Sequence, residues 1–498
     1  MKYVSTRGQA GTVTSAQAIL GGLAPDGGLF LPATFPHYTP EEMAGLVDLD
    51  YRALARQILG LYLPDYDPAA LGGFIAKAYG NNFAAPEITP LAVVDDHLSF
   101  LELWHGPTCA FKDLALQLLP YLLTAASRQF GINKEIVLLV ATSGDTGKAA
   151  LAGFQDVPGT KVIVFYPEEG VSAIQKRQMV TQEGANTYVV GVRGNFDQAQ
   201  AGVKAIFADG RLRETMEAAG KSFSSANSIN WGRLVPQIVY YFKAWADLRK
   251  AKRLAMGETF NVVVPTGNFG NILAAYYGKK MGLPLHKLIC ASNANNVLTD
   301  FIRTGEYNRN RPFYQTSSPS MDILVSSNLE RLLYELTGED PAAVCALIEQ
   351  LRTRGSYRLA TEQLNRLQET FWGGFADEEE TMAALKEVYT KYKYLIDPHT
   401  AVGYKVYADY VEATGDRRPA VIAGTASPFK FKTGVARALF GAEAVAAKDE
   451  FAWLAELSQV TGQPVPRGLQ GLEEKPVLHD RTIAPAEMEA AVREILGL

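Results

Sequence analysis

The stretch that begins at residue 137 reads Val137-Leu138-Leu139-Val140-Ala141-Thr142-Ser143-Gly144-Asp145-Thr146-Gly147, and a helix-like run from Lys148 to Gln155 follows it. A short apolar run predicts a buried strand, and the glycine and hydroxyl residues after it predict a turn. Strand, turn and helix in this order form the repeating unit of a parallel α/β sheet. Backbone N–H groups at the start of such a helix can also bind an anion.

A second unit of the same kind lies further along the chain. The strand-like run from Phe260 to Val264 leads into Pro265-Thr266-Gly267-Asn268-Phe269-Gly270-Asn271. These glycines match neither the phosphate loop of nucleotide-binding proteins nor the dinucleotide-binding fingerprint. One such loop alone indicates an ordinary turn between strand and helix. Two loops together with a reactive lysine would indicate separate sites for a cofactor phosphate and a substrate carboxylate.

The candidate lysine lies in Trp104-His105-Gly106-Pro107-Thr108-Cys109-Ala110-Phe111-Lys112-Asp113, inside a Gly-Pro turn and just before an apolar run. A lysine amine attacks a carbonyl only when it is neutral, and apolar surroundings favour the neutral form by lowering its pKa. Such lysines form Schiff bases, including the one that holds pyridoxal phosphate (PLP). The alternative is a solvated lysine at the start of a helix.

Composition excludes several classes of function. The chain has 498 residues, of which 47% are hydrophobic, so two or three domains with large cores are expected. A net charge of −5 with scattered basic residues indicates neither a nucleic-acid nor an anionic-membrane partner. Apolar runs stay short of the roughly 18 residues that span a bilayer, and the first residues lack the apolar region of a signal peptide. The three cysteines suggest neither a disulfide framework nor a zinc site, so we expect a cytoplasmic protein without a metal.

Strand-like and helix-like segments alternate from residue 98 onward. Further apolar runs lie at Leu98–Leu103, Lys161–Tyr166 and Thr187–Val192, and Leu114–Phe130 is helix-like with a kink expected at Pro120. Continuous hydrophobicity within the runs indicates strands that are covered on both faces. The sequence therefore predicts an α/β fold of open, mostly parallel sheets flanked by helices, with ligand loops at the carboxyl ends of the strands.

The rest of the chain changes in character. Residues 328–393 are typical of amphipathic helices and predict a helical insertion. Two more strands are expected at Pro419–Ala423 and Ala444–Ala447, and a loop at Pro464–Lys475. A last helix is expected within Ile483–Leu498.

Eight segments, in this order, resemble those of the threonine synthases of the long branch found in bacteria and fungi, which are fold-type-II PLP enzymes. They are Tyr3-Val4-Ser5-Thr6-Arg7-Gly8, Ala24-Pro25-Asp26-Gly27-Gly28-Leu29-Phe30-Leu31-Pro32, the Lys112 segment, the Ser143 loop, Asn227-Ser228-Ile229-Asn230-Trp231, the Gly267 loop, Ser318-Pro319-Ser320-Met321-Asp322-Ile323 and Asp397-Pro398-His399-Thr400-Ala401-Val402. The resemblance implies a fold like the tryptophan synthase β-subunit. It also implies an N-terminal region over 1–95, a PLP-binding region with two sheets over 96–440 and a C-terminal segment over 441–498.

The same resemblance implies roles for individual residues. Lys112 would form the Schiff base with PLP and then shuttle protons, and the cofactor phosphate would be held by Gly267, Asn268, Phe269, Gly270 and Asn271. Thr425 would face the pyridine nitrogen, or else be a threonine in a turn at a strand end. Asp145 would lie near the 3′-oxygen of the cofactor, although many relatives have asparagine there, or else cap the following helix.

Substrate-binding residues follow from the resemblance less directly. Thr142, Ser143, Gly144 and Thr146 belong to the loop that meets the substrate carboxylate. Cations and neutral donors suited to a substrate phosphate are Lys148, Arg177, Arg233, Asn227, Ser228 and Asn230. Each of these six could equally be a surface charge or a satisfied loop amide. His399 lies in a family-like motif or closes a turn, and Ser427 stands where relatives often have histidine.

The implied reaction converts O-phospho-L-homoserine and water to L-threonine and phosphate, by a monomer or small homo-oligomer. An O-phosphothreonine phospholyase or a threonine dehydratase would share most of these loops and stays an alternative. A catalytically inactive relative that serves as a scaffold is a third interpretation, although scaffolding does not require an activated amine.

Overall fold

The computed structural model describes residues 1–446 and 448–498. Within them the strands β1 to β15 are, in chain order, Tyr3–Ser5, Phe30–Pro32, Leu91–Val93, Leu98–Glu102, Glu135–Ala141, Thr160–Pro167, Thr187–Val192, Lys221–Ser224, Phe260–Pro265, Leu285–Ser292, Glu306–Asn308, Ser356–Arg358, Phe371–Phe375, Ala420–Gly424 and Thr482–Ile483. The helices α1 to α23 are Ser15–Gly21, Pro40–Ala44, Tyr51–Tyr62, Pro68–Ala78, Asp113–Leu116, Leu119–Gln129, Asp145–Phe154, Ala173–Val180, Phe196–Ala208, Gly210–Ala218, Trp231–Leu234, Pro236–Lys250, Gly270–Lys280, Val297–Thr304, Leu329–Leu336, Pro341–Arg354, Thr361–Thr370, Glu378–Tyr392, Pro398–Thr414, Lys432–Phe440, Ala442–Ala446, Ala452–Thr461 and Met488–Leu496. Short 3₁₀ helices cover Pro319–Met321 and Pro485–Glu487.

Two large sheets organise the chain. One has six strands in the order β13-β10-β9-β14-β4-β3, and all its neighbours are parallel except the antiparallel pair β3–β4. The other has five parallel strands in the order β15-β7-β6-β5-β8. The predicted α/β fold of open, mostly parallel sheets flanked by helices is confirmed.

Side chains on both faces of the central strands are buried, as their continuous hydrophobicity predicts. Along β5, Ile136, Leu138 and Val140 point into one hydrophobic cluster. Val137 and Leu139 point into another, which is closed by α9, α10 and α23. Because successive strand residues face opposite sides, an unbroken apolar run requires a helical layer on each side.

The N-terminal region packs against the core through buried aromatic rings and an ion pair. Tyr3 and Tyr62 contact the ring of Trp231 edge-on, with centroids 5.3 and 5.6 Å away. Arg7 makes a bidentate ion pair with Glu330 of α15, with N–O distances of 3.0 and 2.9 Å. The N-terminal region therefore lies directly on the segment 328–393.

Several local expectations differ from the structure. The segment 328–393 also contains β13, which pairs with β10 and forms the edge of the six-stranded sheet. The strand expected at 444–447 is wrong for residues 444–446, which belong to a helix, and residue 447 lies outside the described residues. The kink expected at Pro120 within one long helix is wrong, because Pro120 lies in the first turn of α6. Backbone N–H groups in the first turn have no acceptor within the helix, so the missing N–H of proline costs nothing there.

Residues 464–475 form turns without a helix or strand, as expected. The last predicted helix is shorter than expected, because β15 and a 3₁₀ turn precede α23. Among the described residues, no helix combines the length and apolar character that crossing a membrane requires.

Candidate active site

The loops that follow β4 and β5 bring Lys112 and Asp145 together between the two sheets. The turn before Lys112 is fixed by Asp113, whose carboxylate accepts hydrogen bonds from the backbone N–H and the hydroxyl of Thr108 at 2.8 and 2.7 Å. Lys112 Nζ then donates to Asp145 Oδ2 and Ser320 Oγ, each at 3.2 Å. Burial lowers the pKa of Lys112 from its ordinary value, although the Asp145 carboxylate opposes that shift.

Asp145 is the first residue of α7, and its carboxyl group lies between the side chains of Lys112 and Lys430. Burial alone would raise its pKa, but the ammonium groups of Lys430 and Lys112 outweigh burial and hold the pKa of Asp145 well below its usual range. Its Oδ1 atom lies 2.8 Å from Lys430 Nζ and accepts a hydrogen bond from Gln175 Nε2 at 2.9 Å. The carboxylate is thus held from several sides.

The Ser143 loop presents backbone donors to the same space. Thr142 serves the loop itself, since its hydroxyl accepts the N–H groups of Gly144 and Gly147 at 3.0 Å each. The N–H groups of Ser143, Asp145 and Thr146 donate to no acceptor in the described part of the chain. Gly144 has φ of 139°, and a Cβ there would lie 2.6 Å from the Gln175 side chain that holds Asp145. Glycine is therefore required at this turn.

The Gly267 loop offers a larger set of backbone donors. Its carbonyl groups are bound, because Ser326 Oγ donates to Gly267 O at 2.7 Å and Asn328 N donates to Asn268 O at 3.1 Å. The N–H groups of residues 267–271 have no protein acceptor in the described residues. Phe269 adopts a left-handed φ of 64° at the start of α13, a strained conformation that is common at ligand sites. Several N–H groups that converge at a helix start suit a phosphate dianion.

Ser320 connects this loop to the lysine. A Cβ on Gly267 would lie 3.2 Å from Ser320 O, and Ser320 Oγ lies 3.2 Å from both Lys112 Nζ and Asp145 Oδ2. The backbone N–H of Ser320 donates to His399 Nε2 at 3.2 Å, while His399 Nδ1 lies 2.6 Å from Asp397 Oδ2. These contacts fix the segment that separates the lysine from the glycine loop.

Three of the remaining predicted residues lie at or near the candidate site, whereas the others make structural contacts. Thr425 lies beside the Lys112 turn, where its carbonyl accepts the N–H of Phe111 at 2.8 Å. Ser228 borders the Gly267 loop, because its hydroxyl lies 3.3 Å from that of Ser327, which donates to Asn268 Oδ1. Arg233 is buried, which lowers its pKa to about 10, and its Nε atom has no hydrogen-bond partner in the described residues. An unpaired buried donor of this kind is suited to an anion.

The others make structural contacts. Asn230 Oδ1 accepts the N–H of Gly232 at 2.8 Å, so it caps α11, and the side chain of Asn271 closes its own turn against Thr266 and Pro265. Asn227 accepts the Asn230 N–H through its carbonyl at 3.1 Å.

Two of the predicted cations are bound elsewhere in the protein. Lys148 donates to Gln182, and Arg177 donates to the carbonyl groups of Leu472, Glu473 and Lys475. Of the predicted cations, Arg233 alone keeps a buried donor without a protein partner in the described chain.

Lys430, Gln175 and Ser320 are site residues that the sequence analysis did not select. Lys430 could have been found, because it follows β14 closely and so belongs to a loop at the carboxyl edge of the sheet. Gln175 lies on α8 and offered no motif of its own. Ser320 belongs to a quoted family segment, but nothing in its spacing indicated a contact with Lys112.

The buried carboxyl of Asp113 gives a prediction for pH-dependent stability. Burial raises the pKa of Asp113 to about 6 from an ordinary value of 3.8, so the folded state binds its proton more tightly than the unfolded state. This contribution is present below the folded-state pKa and is lost as the pH rises through about 6. At pH 5, one unit below that pKa, it amounts to about 1.4 kcal/mol.

Urea unfolding of the wild type and of Asp113→Asn at pH 5 and pH 7 checks the prediction. Asparagine resembles the protonated acid, so the wild type should gain about 1.4 kcal/mol relative to the variant at the lower pH. A stability difference that is equal at both pH values would contradict it.

Comparison with known proteins decides the family. A family model for a pyridoxal-phosphate-dependent enzyme matches residues 86–427, between models for the threonine synthase N terminus at 2–79 and the threonine synthase C-terminal region at 400–495. The chain belongs to the threonine synthase family. Threonine synthase of Pseudomonas aeruginosa is 39% identical over 89% of this chain and 91% of its own length. That of Saccharomyces cerevisiae is 38% identical over 88% of this chain and 89% of its own length.

Solved structures of the threonine synthase family agree. The PLP-bound threonine synthase of Brucella melitensis has a TM-score of 0.89 at 36% identity, and each chain is fully covered. The yeast enzyme has a TM-score of 0.88 at 34% identity over 100% of this chain and 99% of its own. Human threonine synthase-like 1 is 42% identical over 85% of this chain, which spans only 58% of the length of that protein.

The cofactor of this threonine synthase family member is PLP. The site fits it on two independent grounds. Lys112 supplies a buried amine whose pKa is lowered, and the Gly267 loop supplies N–H groups that have no acceptor among residues 1–446 and 448–498. When bound, PLP provides an electron sink for carbanions at the substrate.

Proposed function

We propose that the protein converts O-phospho-L-homoserine and water to L-threonine and phosphate, and that it is a carbon–oxygen lyase. The observation that carries the proposal is the Lys112 amine, buried beside Asp145 and accompanied by two turns that each contain N–H groups without an acceptor among the described residues. One turn suits the cofactor phosphate and the other suits a substrate carboxylate. The names of the relatives at 35–39% identity support the same reaction.

Lys112 has two tasks in this proposal. Its neutral amine would hold the cofactor through a covalent link formed with loss of one water, and the same amine would move protons at Cα and Cβ of the substrate. Asp145 lies 3.2 Å from Nζ and provides the charged acceptor that orients the amine. Because the lysine is buried, bulk water does not compete for its proton.

The anionic groups of substrate and cofactor are assigned to separate donors. The N–H groups of residues 267–271 hold the cofactor phosphate, and those of Ser143 and Thr146 hold the substrate carboxylate. Ser228, which lies beside the Gly267 loop, and the buried Arg233 would hold the substrate phosphate. A free guanidinium Nε offers a charge-assisted hydrogen bond to that group.

The test is product analysis with the purified PLP-bound protein and O-phospho-L-homoserine. L-threonine and phosphate in equal amounts are expected, and Lys112→Ala should form neither. Phosphate with 2-oxobutanoate and little threonine would replace the proposal with a lyase that eliminates without adding water. A protein that binds PLP but leaves the substrate unchanged would remove the proposed substrate.

A further inference from the structure

Lys430 is a second lysine at the site, and it is more deeply buried than Lys112. Its side chain is 0% exposed, and it lies between two loops of different sheets. Lys430 Nζ is 2.8 Å from Asp145 Oδ1 and donates to Thr108 O at 2.9 Å. A fully buried ammonium group is costly unless it is paired, so this geometry requires an ionised Asp145.

The two oxygen atoms of Asp145 face different partners. Oδ1 is bound by Lys430 and Gln175, whereas Oδ2 faces Lys112 and Ser320. The single carboxylate therefore lies between two ammonium groups. Asp145 therefore stabilises the ammonium form of Lys112 less than an unshared carboxylate would. The positive charge of Lys430 also disfavours that form.

We infer that Lys430 is a positioning residue that keeps Lys112 in the neutral form needed to react with the cofactor. It neutralises Asp145, aims Oδ2 at Lys112, and itself never contacts the reacting atoms. The inference rests on the proposed role of Lys112 as the cofactor-linking lysine and does not depend on the identity of the substrate.

The other charged groups near the two lysines do not replace this contact. Lys112 faces Asp145 from α7, Lys430 from the turn after β14, and Arg233 from α11. Lys430 also faces Asp113 and Lys148, whose side chains bond to Thr108 and Gln182 rather than to Lys112. In the described residues, Asp145 is the one anion that both lysines contact.

The test is the pH dependence of the rate at which the full-length apo-protein reacts with PLP, followed by visible absorbance. Lys430→Met removes a positive charge that lowers the pKa of Lys112. The Asp145 carboxylate then interacts with the Lys112 ammonium group without competition from Lys430. The midpoint of the rate profile should move up by about one pH unit, which slows the reaction about tenfold below the midpoint.

Lys432→Met is the matched control, because Lys432 is also buried and lies 3.0 Å from Glu450, in an ion pair separate from Lys112. Its midpoint should equal that of the wild type. A Lys430→Met midpoint equal to that of Lys432→Met would overturn the inference, since loss of a merely structural ion pair would affect both variants alike.

Lys430→Gln keeps the test decisive if Lys430→Met does not fold. Its amide can still donate a hydrogen bond to Asp145 Oδ1 but carries no charge. Its midpoint should therefore rise above that of the wild type, and an unchanged midpoint would overturn the inference. Failure of the underlying lysine assignment is recognised separately, because Lys112→Ala would then still develop the absorbance of lysine-linked PLP.

Discussion

Lys112→Ala should lose at least about a thousandfold in turnover and should no longer form the visible absorbance of a lysine-linked cofactor. The loss combines the missing covalent link with the missing proton carrier, and a positioned acid–base group alone contributes roughly 10²–10⁴-fold. Nζ of Lys112 contacts Asp145 and Ser320 at 3.2 Å, whereas the neighbouring Lys430 is held by the other Asp145 oxygen and by Thr108 O. Turnover of O-phospho-L-homoserine and the spectrum of the PLP-bound protein are the measurements.

Lys112→Arg separates the chemistry of the amine from the packing of the side chain. Arginine retains length and charge but stays protonated at any working pH, so it cannot supply a neutral nucleophile. Turnover in Lys112→Arg should be as low as in Lys112→Ala. Turnover within tenfold of the wild type in either variant would show that another group performs the chemistry.

Gly153→Ala should destabilise the folded protein by at least about 2 kcal/mol, because the new Cβ overpacks a closed contact. A Cβ at residue 153 would lie 2.1 Å from Leu116 O and 2.8 Å from Leu116 C, which are backbone atoms and cannot rotate away. Helices α7 and α5 would have to separate. Chemical denaturation with urea, followed by circular dichroism, measures the change.

Gly153→Ala should also disturb the contact between Lys112 and Asp145, since α5 begins directly after Lys112 and α7 begins with Asp145. Gly60→Ala is the control, because this glycine lies within α3 and a Cβ there would meet no atom within 4 Å. It should stabilise the protein by about 0.5–1 kcal/mol through helix propensity. Equal stability of the two alanine variants would contradict the close approach of the helices.

The sheets were predictable because strands buried on both faces leave an unbroken apolar run in the sequence. Alternate side chains of β5 pack into two hydrophobic clusters, one on each face of the sheet, and Asp145 follows the strand at the start of α7. The carboxyl-edge rule also predicts that both glycine loops bind ligands. A short apolar run does not by itself distinguish a strand from a helix, and residues 444–446 form a helix in line with the high helix propensity of alanine.

The charge arrangement of the site could not be read from the sequence. Lys430 and Asp145 are far apart in the chain, and nothing local indicates that an ammonium group and a carboxylate will be buried together. Arg177 shows the opposite case, since it had the residue type of a phosphate ligand but binds three backbone carbonyl groups of the segment 472–475. Residue type restricts the chemistry, whereas tertiary contacts select which residues perform it.

The position of β14 in the six-stranded sheet has a consequence for biosynthesis. A ribosome delivers β3, β4, β9, β10 and β13 before β14, yet β14 lies between β9 and β4 and pairs with both. Until residue 424 has emerged, the nascent chain holds two half-sheets whose inner edges are unpaired, and such edges favour aggregation. The Lys112 loop follows β4 and the Gly267 loop follows β9, so the two loops belong to different half-sheets. Assembly of the candidate site is thus a late event in folding, because its two loops meet only after β14 has joined the two half-sheets.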